Sequence, residues 1–189
     1  MKAIQSISTL ILIGVLSLLS CKKDPCDTIV CTNGYCVNGA CDCFPGYSGP
    51  SCGNEDRPIK ITLNKIVLTT FSQTNPQGGG WDPNGTGPDI YIDVYSGAIL
   101  KYSSDYVLDA VNTNQYTFTP TSPISMSTTE TITIRLFDYE SFGNDTQMSA
   151  ITTSSELWEG YLKGAGFPSS TIFNFGPTSY TLYWTYTHN

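Results

Sequence analysis

The stretch Ile132-Thr-Ile134-Arg-Leu136-Phe-Asp138-Tyr-Glu140 decides the fold class of this chain. Its aliphatic side chains occupy every second position, and successive side chains of a β-strand point to opposite faces of a sheet. We therefore predict a strand with one face on a core. Asp138 and Glu140 lie two residues apart at the end of that strand, so we expect their carboxylates to point the same way.

The same alternation recurs elsewhere between residues 59 and 189. It is clear at Ile90, Ile92 and Val94, and again at Tyr180, Leu182, Trp184 and Tyr186. The aliphatic run Ile59, Ile61, Leu63, Ile66 and Leu68 changes parity midway, which a β-bulge would explain.

Weaker strand signals lie near 105 to 111, 115 to 119, 148 to 153 and 171 to 175. The segment is rich in Thr, Ser, Tyr, Ile and Phe and lacks a long helical periodicity. Together these signals predict a mainly β fold, an antiparallel β-sandwich of about eight short strands.

Two predicted strand ends place carboxylates beside glycine and asparagine. One reads Gly80-Trp-Asp82-Pro-Asn-Gly-Thr-Gly-Pro-Asp89-Ile-Tyr91, and the other Leu136-Phe-Asp138-Tyr-Glu140-Ser-Phe-Gly-Asn144-Asp145. Calcium takes about six to eight oxygen ligands, which five carboxylates and loop carbonyls can supply. The alternative is that these are turn-forming Asp and Asn residues on a solvated rim.

The two loops resemble the calcium loops of a C2 domain, where a glycine-rich loop ends in Asp-x-Tyr-aliphatic and a later strand ends in Asp-x-Asp. The resemblance implies a C2-like β-sandwich over residues 59 to 189. It also implies a calcium site formed by Asp82, Asp89, Asp138, Glu140 and Asp145, although Asn144 could take the place of Asp145.

In C2 domains calcium often bridges to anionic lipid, helped by basic residues on a neighbouring strand. Residues 112 to 121 contain no Lys or Arg. We therefore expect an ion that fixes the loops for an extracellular protein or glycan ligand.

Six of the seven cysteines lie between residues 26 and 52, among hardly any aliphatic side chains. Such a segment cannot fold on a core alone, and disulfides of about 2 to 4 kcal/mol each are the usual remedy in an oxidising compartment. Zinc sites favour Cys-x2-Cys pairs, which are absent. Spacing alone leaves the pairing of the six cysteines open.

Within this segment, Cys41-Asp-Cys43-Phe-Pro-Gly-Tyr-Ser-Gly-Pro-Ser-Cys52 resembles the second half of an EGF-like domain. The resemblance implies the disulfides Cys26 to Cys36, Cys31 to Cys41 and Cys43 to Cys52. Asn33-Gly34 and Asn38-Gly39 predict turns with positive φ. Many EGF-like domains bind calcium through acidic residues just before their first cysteine, but here that stretch is only Lys23-Asp24-Pro25, so we expect no ion there.

Lys2 precedes an uncharged apolar stretch, Leu10 to Leu19, which is followed by Ser20-Cys21; this is the layout of a signal peptide over residues 1 to 20. Leu18-Leu19-Ser20-Cys21 resembles the bacterial lipobox. That resemblance implies a lipoprotein with acyl chains such as palmitate on Cys21 and a tether over residues 21 to 25. Membrane attachment in the cell envelope follows, at the outer membrane or cell surface. The alternative is an incidental cysteine after a secretory signal.

Residues 53 to 58 are polar and bracketed by Gly and Pro, so they predict a linker. The formal net charge of −7 argues against a nucleic-acid partner. The single histidine, His188, lies next to the C-terminus, and no phosphate-binding or dinucleotide-binding glycine motif is present, so we expect no enzyme activity. The rival function is a carbohydrate-binding β-sandwich that uses exposed aromatic side chains as platforms, with Trp81, Trp158 and several of the twelve tyrosines as candidates.

Overall fold

The computed structural model describes residues 23 to 83, 85 to 153 and 156 to 188. The chain divides into two compact units, the first ending at Asn54 and the second beginning at Glu55. The predicted signal peptide and Cys21 lie outside the described residues, so lipid attachment stays a prediction. Within the described ranges, we find no helix with the length and apolar character needed to cross a membrane.

The first unit contains short strands and tight turns. β1 (Gly34–Val37) and β2 (Ala40–Cys43) form an antiparallel hairpin, and β3 (Tyr47–Ser48) pairs with β4 (Asn54–Glu55). Asn38 and Gly39 have φ of 52° and 85°, the positive values that a two-residue hairpin turn requires. The positive φ predicted at Asn33-Gly34 is wrong, since neither residue has one and Gly34 is already the first residue of β1. Glycine is required at this position for space, because a Cβ would lie 2.3 Å from the Asp42 carbonyl oxygen.

Three disulfides hold the first unit together. They join Cys26 to Cys36, Cys31 to Cys41 and Cys43 to Cys52, with Cα–Cα distances of 5.8, 5.7 and 5.3 Å. These are the pairs that the EGF-like resemblance implies, and the prediction of a disulfide-bonded segment is confirmed. Val30 and Tyr35 are 81% and 69% exposed, so apolar burial contributes little to this unit.

The second unit is a sandwich of two antiparallel sheets. One sheet has the order β11-β10-β6-β7, and the other has the order β12-β13-β5-β8, with β9 also paired to β5. The strands are β5 (Lys60–Thr70), β6 (Ile90–Ser96), β7 (Ile99–Ser103), β8 (Tyr116–Phe118), β9 (Ile124–Met126), β10 (Ile132–Asp138), β11 (Thr146–Thr152), β12 (Ser170–Phe175) and β13 (Thr178–Thr187). The predicted mainly β fold with antiparallel sheets is confirmed, and the arrangement is consistent with a C2-like β-sandwich.

The core lies between the two sheets and takes its side chains from the alternating positions. The inward residues of β6, β10 and β13 are almost fully buried: Ile90, Ile92, Val94, Ile132, Ile134, Leu136, Tyr180, Leu182 and Trp184. Along β5 the parity changes at Asn64, where Tyr183 pairs with Lys65 and Trp184 with Leu63. This irregularity is the expected bulge, and it keeps both halves of β5 on the core.

The strand predicted near 105 to 111 is wrong. These residues form a loop in which Val107 makes a single bridge to Ile90. The strand lies earlier, as β7, which follows β6 after Gly97 and Ala98. Ile99 and Leu100 of this edge strand are 62% and 49% exposed, so β7 lacks the buried alternation that marks the central strands.

Residues 156 to 168 connect β11 to β12 and close one end of the sandwich. They contain a single π-helical turn, Trp158–Leu162, whose Trp158 is completely buried. The Glu55 carboxylate accepts hydrogen bonds from the backbone N–H groups of Gly164 and Gly166 at 2.6 and 2.7 Å. Arg57 pairs with Glu156 at 2.6 Å. Two side chains of the predicted linker thus contact this segment.

Candidate functional site

Three loops meet at the opposite end of the second unit, where β10 ends and β6 begins. Loop 1 spans residues 71 to 89, loop 2 residues 104 to 115 and loop 3 residues 139 to 145. The pairing of Asp138 with Ile90 brings loops 1 and 3 together, and the bridge from Ile90 to Val107 brings loop 2 beside them. The sequence of these three loops contains no Lys or Arg.

Loop 1 is ordered by its own hydrogen bonds. Asn75 accepts from the N–H groups of Gln77 and Gly79, and the Trp81 indole donates to the Ser72 carbonyl at 2.9 Å. Loop 1 then passes directly against loop 2 at Gly87, where a Cβ would lie 2.3 Å from the Ala110 carbonyl oxygen. Glycine at this position therefore permits the close approach of the two loops.

Asp89 ties all three loops to one another. Its N–H donates to the Asp138 carboxylate at 2.8 Å, and its own carboxylate accepts from the Asp109 N–H at 2.9 Å. Its carbonyl accepts from the Tyr139 N–H at 2.7 Å. These contacts fix the relative positions of the acidic side chains around it.

The loops bring five carboxylates into two groups that share Asp82. One group is Asp82, Asp89 and Asp109, and the other is Asp82, Asp138 and Glu140. In each group, one oxygen from every residue lies within 4.8 Å of the others. Carboxylates this close repel one another unless a cation or a proton intervenes.

Asp138 is the most buried member, with no exposed surface. One of its oxygens accepts the Asp89 N–H, while the other, Oδ2, is buried without a hydrogen-bond partner among the described residues. Burial, together with the charges of Asp82, Glu140 and Asp89, raises the pKa of Asp138 to about 6, against the lowering effect of the Asp89 N–H. Burial and then the Asp89 charge also raise the pKa of Asp82, whose Oδ2 is likewise without a partner among those residues.

The structure places four of the five predicted calcium ligands in these groups, namely Asp82, Asp89, Asp138 and Glu140. Asp145 lies outside both groups. Its carboxylate accepts from the Glu140 N–H at 3.0 Å and from the Tyr91 hydroxyl at 2.8 Å. Asp145 therefore holds Glu140 in position in this structure.

Asp109 belongs to a group but was not among the predicted ligands. Asp109 lies within the weak strand that the sequence predicts near 105 to 111, whereas the structure forms a loop there. Its backbone has a φ of 50°, a left-handed conformation that Asp tolerates better than most residues. The two acids, Asp105 and Asp109, and the Ser-Ser pair before them are the signal that could have indicated a loop here.

Fold and site together define an antiparallel β-sandwich with an acidic loop cluster at one end, preceded in the chain by a disulfide-bonded unit. No protein-family model matches the chain, and no curated protein matches it.

The chain is similar to several solved structures. Human GIVD cytosolic phospholipase A2 in complex with methyl gamma-linolenyl fluorophosphonate gives a TM-score of 0.48 at 7% identity, over 69% of this chain and 17% of that one. A C2 domain structure gives 0.44 at 9% identity, over 68% and 97% of the two chains. The two calcium-bound C2 domains of Extended-Synaptotagmin 2 give 0.42 at 12% identity, over 69% and 47%. This chain thus spans only a small part of the phospholipase.

Proposed function

We propose that the second unit is a calcium-binding module whose three loops present a ligand-binding surface. The observation that carries the proposal is the buried Asp138 oxygen, which lacks a partner among the described residues and belongs to a group in which oxygens of Asp82 and Glu140 lie within 4.8 Å. A buried carboxylate oxygen is costly to leave unsatisfied, and a cation bound between these three residues would satisfy it.

The chemistry of the donor set favours calcium. All five side chains offer hard carboxylate oxygens, without a cysteine or histidine that would favour zinc. Calcium accepts flexible geometry and can take carbonyl oxygens from the loops as further ligands. The shared Asp82 could bridge two ions, one in each group.

We further propose that a lipid holds this module at the cell envelope. A lipid on Cys21 would tether the protein to the envelope, and along the chain the disulfide-bonded unit follows this anchor and precedes the calcium loops. The proposed protein is thus a lipid-anchored binding protein at the outer membrane or cell surface, without enzyme activity.

The first prediction concerns calcium itself. We expect calcium to raise the thermal midpoint of the second unit, because an ion that binds only the folded state at a hundredfold excess over its Kd stabilises it by about 2.7 kcal/mol. The measurement is tryptophan fluorescence of the purified full chain on heating, with calcium at several millimolar or with chelator. Trp81, Trp158 and Trp184 all lie in the second unit, so this signal excludes the disulfide-bonded unit.

An Asp109→Asn variant provides a further test, since Asp109 belongs to a carboxylate group but not to the predicted ligands. Its calcium affinity should fall while the calcium-free midpoint changes little. Equal midpoints with calcium and with chelator for the natural protein would end the calcium proposal.

A second candidate function is calcium-dependent docking on a lipid surface. The observation that favours it is a set of exposed apolar side chains on the acidic loops: Phe142 is 95% exposed in loop 3, and Leu108 is 64% exposed in loop 2. Calcium would neutralise the carboxylates beside them and bridge to anionic headgroups, and the apolar side chains could then enter the interface.

For this candidate we expect the protein to sediment with vesicles of equal parts phosphatidylglycerol and phosphatidylethanolamine only when calcium is present. Phe142→Ala should weaken binding about tenfold, because burying a phenyl side chain contributes roughly 1.5 to 3 kcal/mol. Ile172→Ala is the matched control, since Ile172 is 64% exposed but lies on β12. Equal binding by the Phe142 variant would assign the loops to a different ligand.

A further inference from the structure

A cleft beside the acidic loops has a different chemical character from the carboxylate groups. It has a volume of about 300 Å³ and is lined by Tyr91, Ser104, Asp105, Tyr106, Tyr139 and Asp145, among others. We call it the tyrosine cleft. None of these six residues belongs to either carboxylate group, so the cleft is a separate feature of the surface.

A second cleft of about 260 Å³ adjoins the first. It shares Ser104, Asp105 and Tyr106 with the tyrosine cleft and adds Tyr102, Thr117 and Thr119. The two clefts therefore lie side by side, with the loop residues 104 to 106 as their common wall.

Tyr106 is the central side chain of this surface. Its ring stacks on Tyr139 with centroids 4.4 Å apart and planes 8° apart, yet 47% of Tyr106 remains exposed. Tyr139 covers one face of the ring, which leaves the rest of the ring available to a ligand.

The loop that carries Tyr106 is bonded to β6 both before and after that residue. Ser104 exchanges two hydrogen bonds with Ile92, through its N–H and its hydroxyl, and Val107 exchanges two with Ile90. The opposite wall is fixed because the Tyr91 ring stacks on Phe137 at 5.0 Å and its hydroxyl donates to Asp145. A preformed surface of this kind loses little conformational entropy when a ligand binds.

We propose that the tyrosine cleft and its neighbour bind a neutral oligosaccharide, with one sugar ring against Tyr106 and the next in the adjoining cleft. The lining combines aromatic rings, hydroxyl groups and carboxylates. Aromatic rings suit the C–H face of a pyranose, while hydroxyl and carboxylate oxygens accept hydrogen bonds from its hydroxyl groups. This binding goes beyond the proposed calcium site, since it uses none of the grouped carboxylates.

Charge decides against an anionic ligand. Among the described residues, no Lys or Arg lines either cleft, so an anion would meet only Asp105 and Asp145. A cationic peptide is the rival, because the hydrogen bonds that Asp145 accepts do not remove its charge. The stacked ring of Tyr106 and the hydroxyl groups of Ser104 and Thr117 favour a sugar instead, and trilysine tests the rival directly.

The test uses the purified full chain and a panel of neutral tetrasaccharides built from glucose, mannose or xylose, with trilysine as the cationic probe. We expect saturation-transfer NMR to show contact with the ring protons of at least one tetrasaccharide, and calorimetry to give its Kd. Tyr106→Ala should weaken that Kd about tenfold, a common effect for a central binding side chain. Tyr106→Phe should retain most of the affinity, because the ring remains.

Phe142→Ala is the matched control, since it removes an exposed aromatic ring from the same end of the molecule but lines neither cleft. Its Kd should equal that of the natural protein. Asp138→Asn should also bind the sugar, so a failed calcium site and a failed sugar site give different results. No saturation by any tetrasaccharide at about 10 mM, binding of trilysine alone, or an unchanged Kd for Tyr106→Ala would overturn the proposal.

Discussion

Replacing Asp138 by Asn is expected to stabilise the calcium-free protein, by about 1 to 2 kcal/mol at pH 7. The ionised carboxylate of Asp138 is fully buried and lies near the carboxylates of Asp82 and Glu140. An asparagine removes one of these charges and can still accept the Asp89 N–H through its amide oxygen. Chemical denaturation in the presence of chelator measures the difference.

With saturating calcium, the natural protein should become more stable to unfolding than the Asp138→Asn variant. The natural protein gains about 2.7 kcal/mol at a hundredfold excess of calcium over its Kd, whereas the variant has lost a ligand and gains far less. A purely structural role for Asp138 predicts the same sign of change with and without calcium. A variant that is more stable than the natural protein without calcium but less stable with calcium is therefore specific to a metal site.

The pH dependence of the calcium-free protein gives a second readout of the same change. Because the pKa of Asp138 is raised to about 6 by burial, the folded protein binds this proton more tightly than the unfolded chain does. This contribution to stability is fully present below the unfolded pKa, about 3.9, and is lost as pH rises through about 6. The Asp138→Asn variant should lack that loss.

Asp93→Asn is the matched control for these measurements. Asp93 also has a buried oxygen without a partner among the described residues, but it lies on β6 outside both carboxylate groups. Its calcium shift should equal that of the natural protein. If Asp138→Asn instead destabilised the protein under both conditions, the carboxylate would be serving the fold rather than an ion.

The central strands could be predicted from the sequence because each has one face on the core. Burial imposes the two-residue period at Ile90 to Val94 and at Ile132 to Leu136, and β10 ends at Asp138 within the predicted acidic motif. The edge strand β7 has no such constraint, since most of its side chains are exposed. β7 is held to β6 by backbone hydrogen bonds, which do not require an alternation of apolar and polar residues.

Part of the acidic site could also be predicted from the sequence, and part could not. Asp82, Asp89, Asp138 and Glu140 lie in two motifs beside strong strands, so their proximity follows from the antiparallel pairing of β6 and β10. Asp109 joins them only because loop 2 packs closely against Gly87 of loop 1 and pairs Val107 with Ile90. That close approach depends on tertiary packing, which a local sequence pattern does not encode.

The exposure of Trp158 could not be predicted from the composition of the sequence. The rival function predicts that Trp158 is an exposed platform for sugars, and the structure contradicts that role because the side chain is completely buried. Its neighbours in sequence form a π-helical turn that is too short to produce a helical period. The sugar-binding proposal instead uses Tyr106, which is 47% exposed in loop 2, where the sequence predicts a strand.

Trp158→Ala is expected to be the most destabilising substitution in the second unit, with a loss of about 3 to 5 kcal/mol. The indole stacks on Phe167 at 5.3 Å and meets Tyr186 edge-on at 6.4 Å, and Leu157 and Leu162 are buried on either side of it. Removing the indole leaves a large cavity in this aromatic cluster. Because domains of this size have total stabilities of about 5 to 15 kcal/mol, the variant should retain a small margin or unfold.

Urea denaturation followed by circular dichroism measures this loss, and Trp81→Ala is the control. Trp81 is half-buried and contributes one hydrogen bond within loop 1, so its loss should cost about 1 kcal/mol and should affect the calcium loops rather than the core. A loss below about 1 kcal/mol for Trp158→Ala would mean that residues 156 to 168 are a loosely attached connection. A large loss would show that this segment is part of the core. The hydrogen bonds from Gly164 and Gly166 to Glu55 would then join the first residue of the second unit to that core.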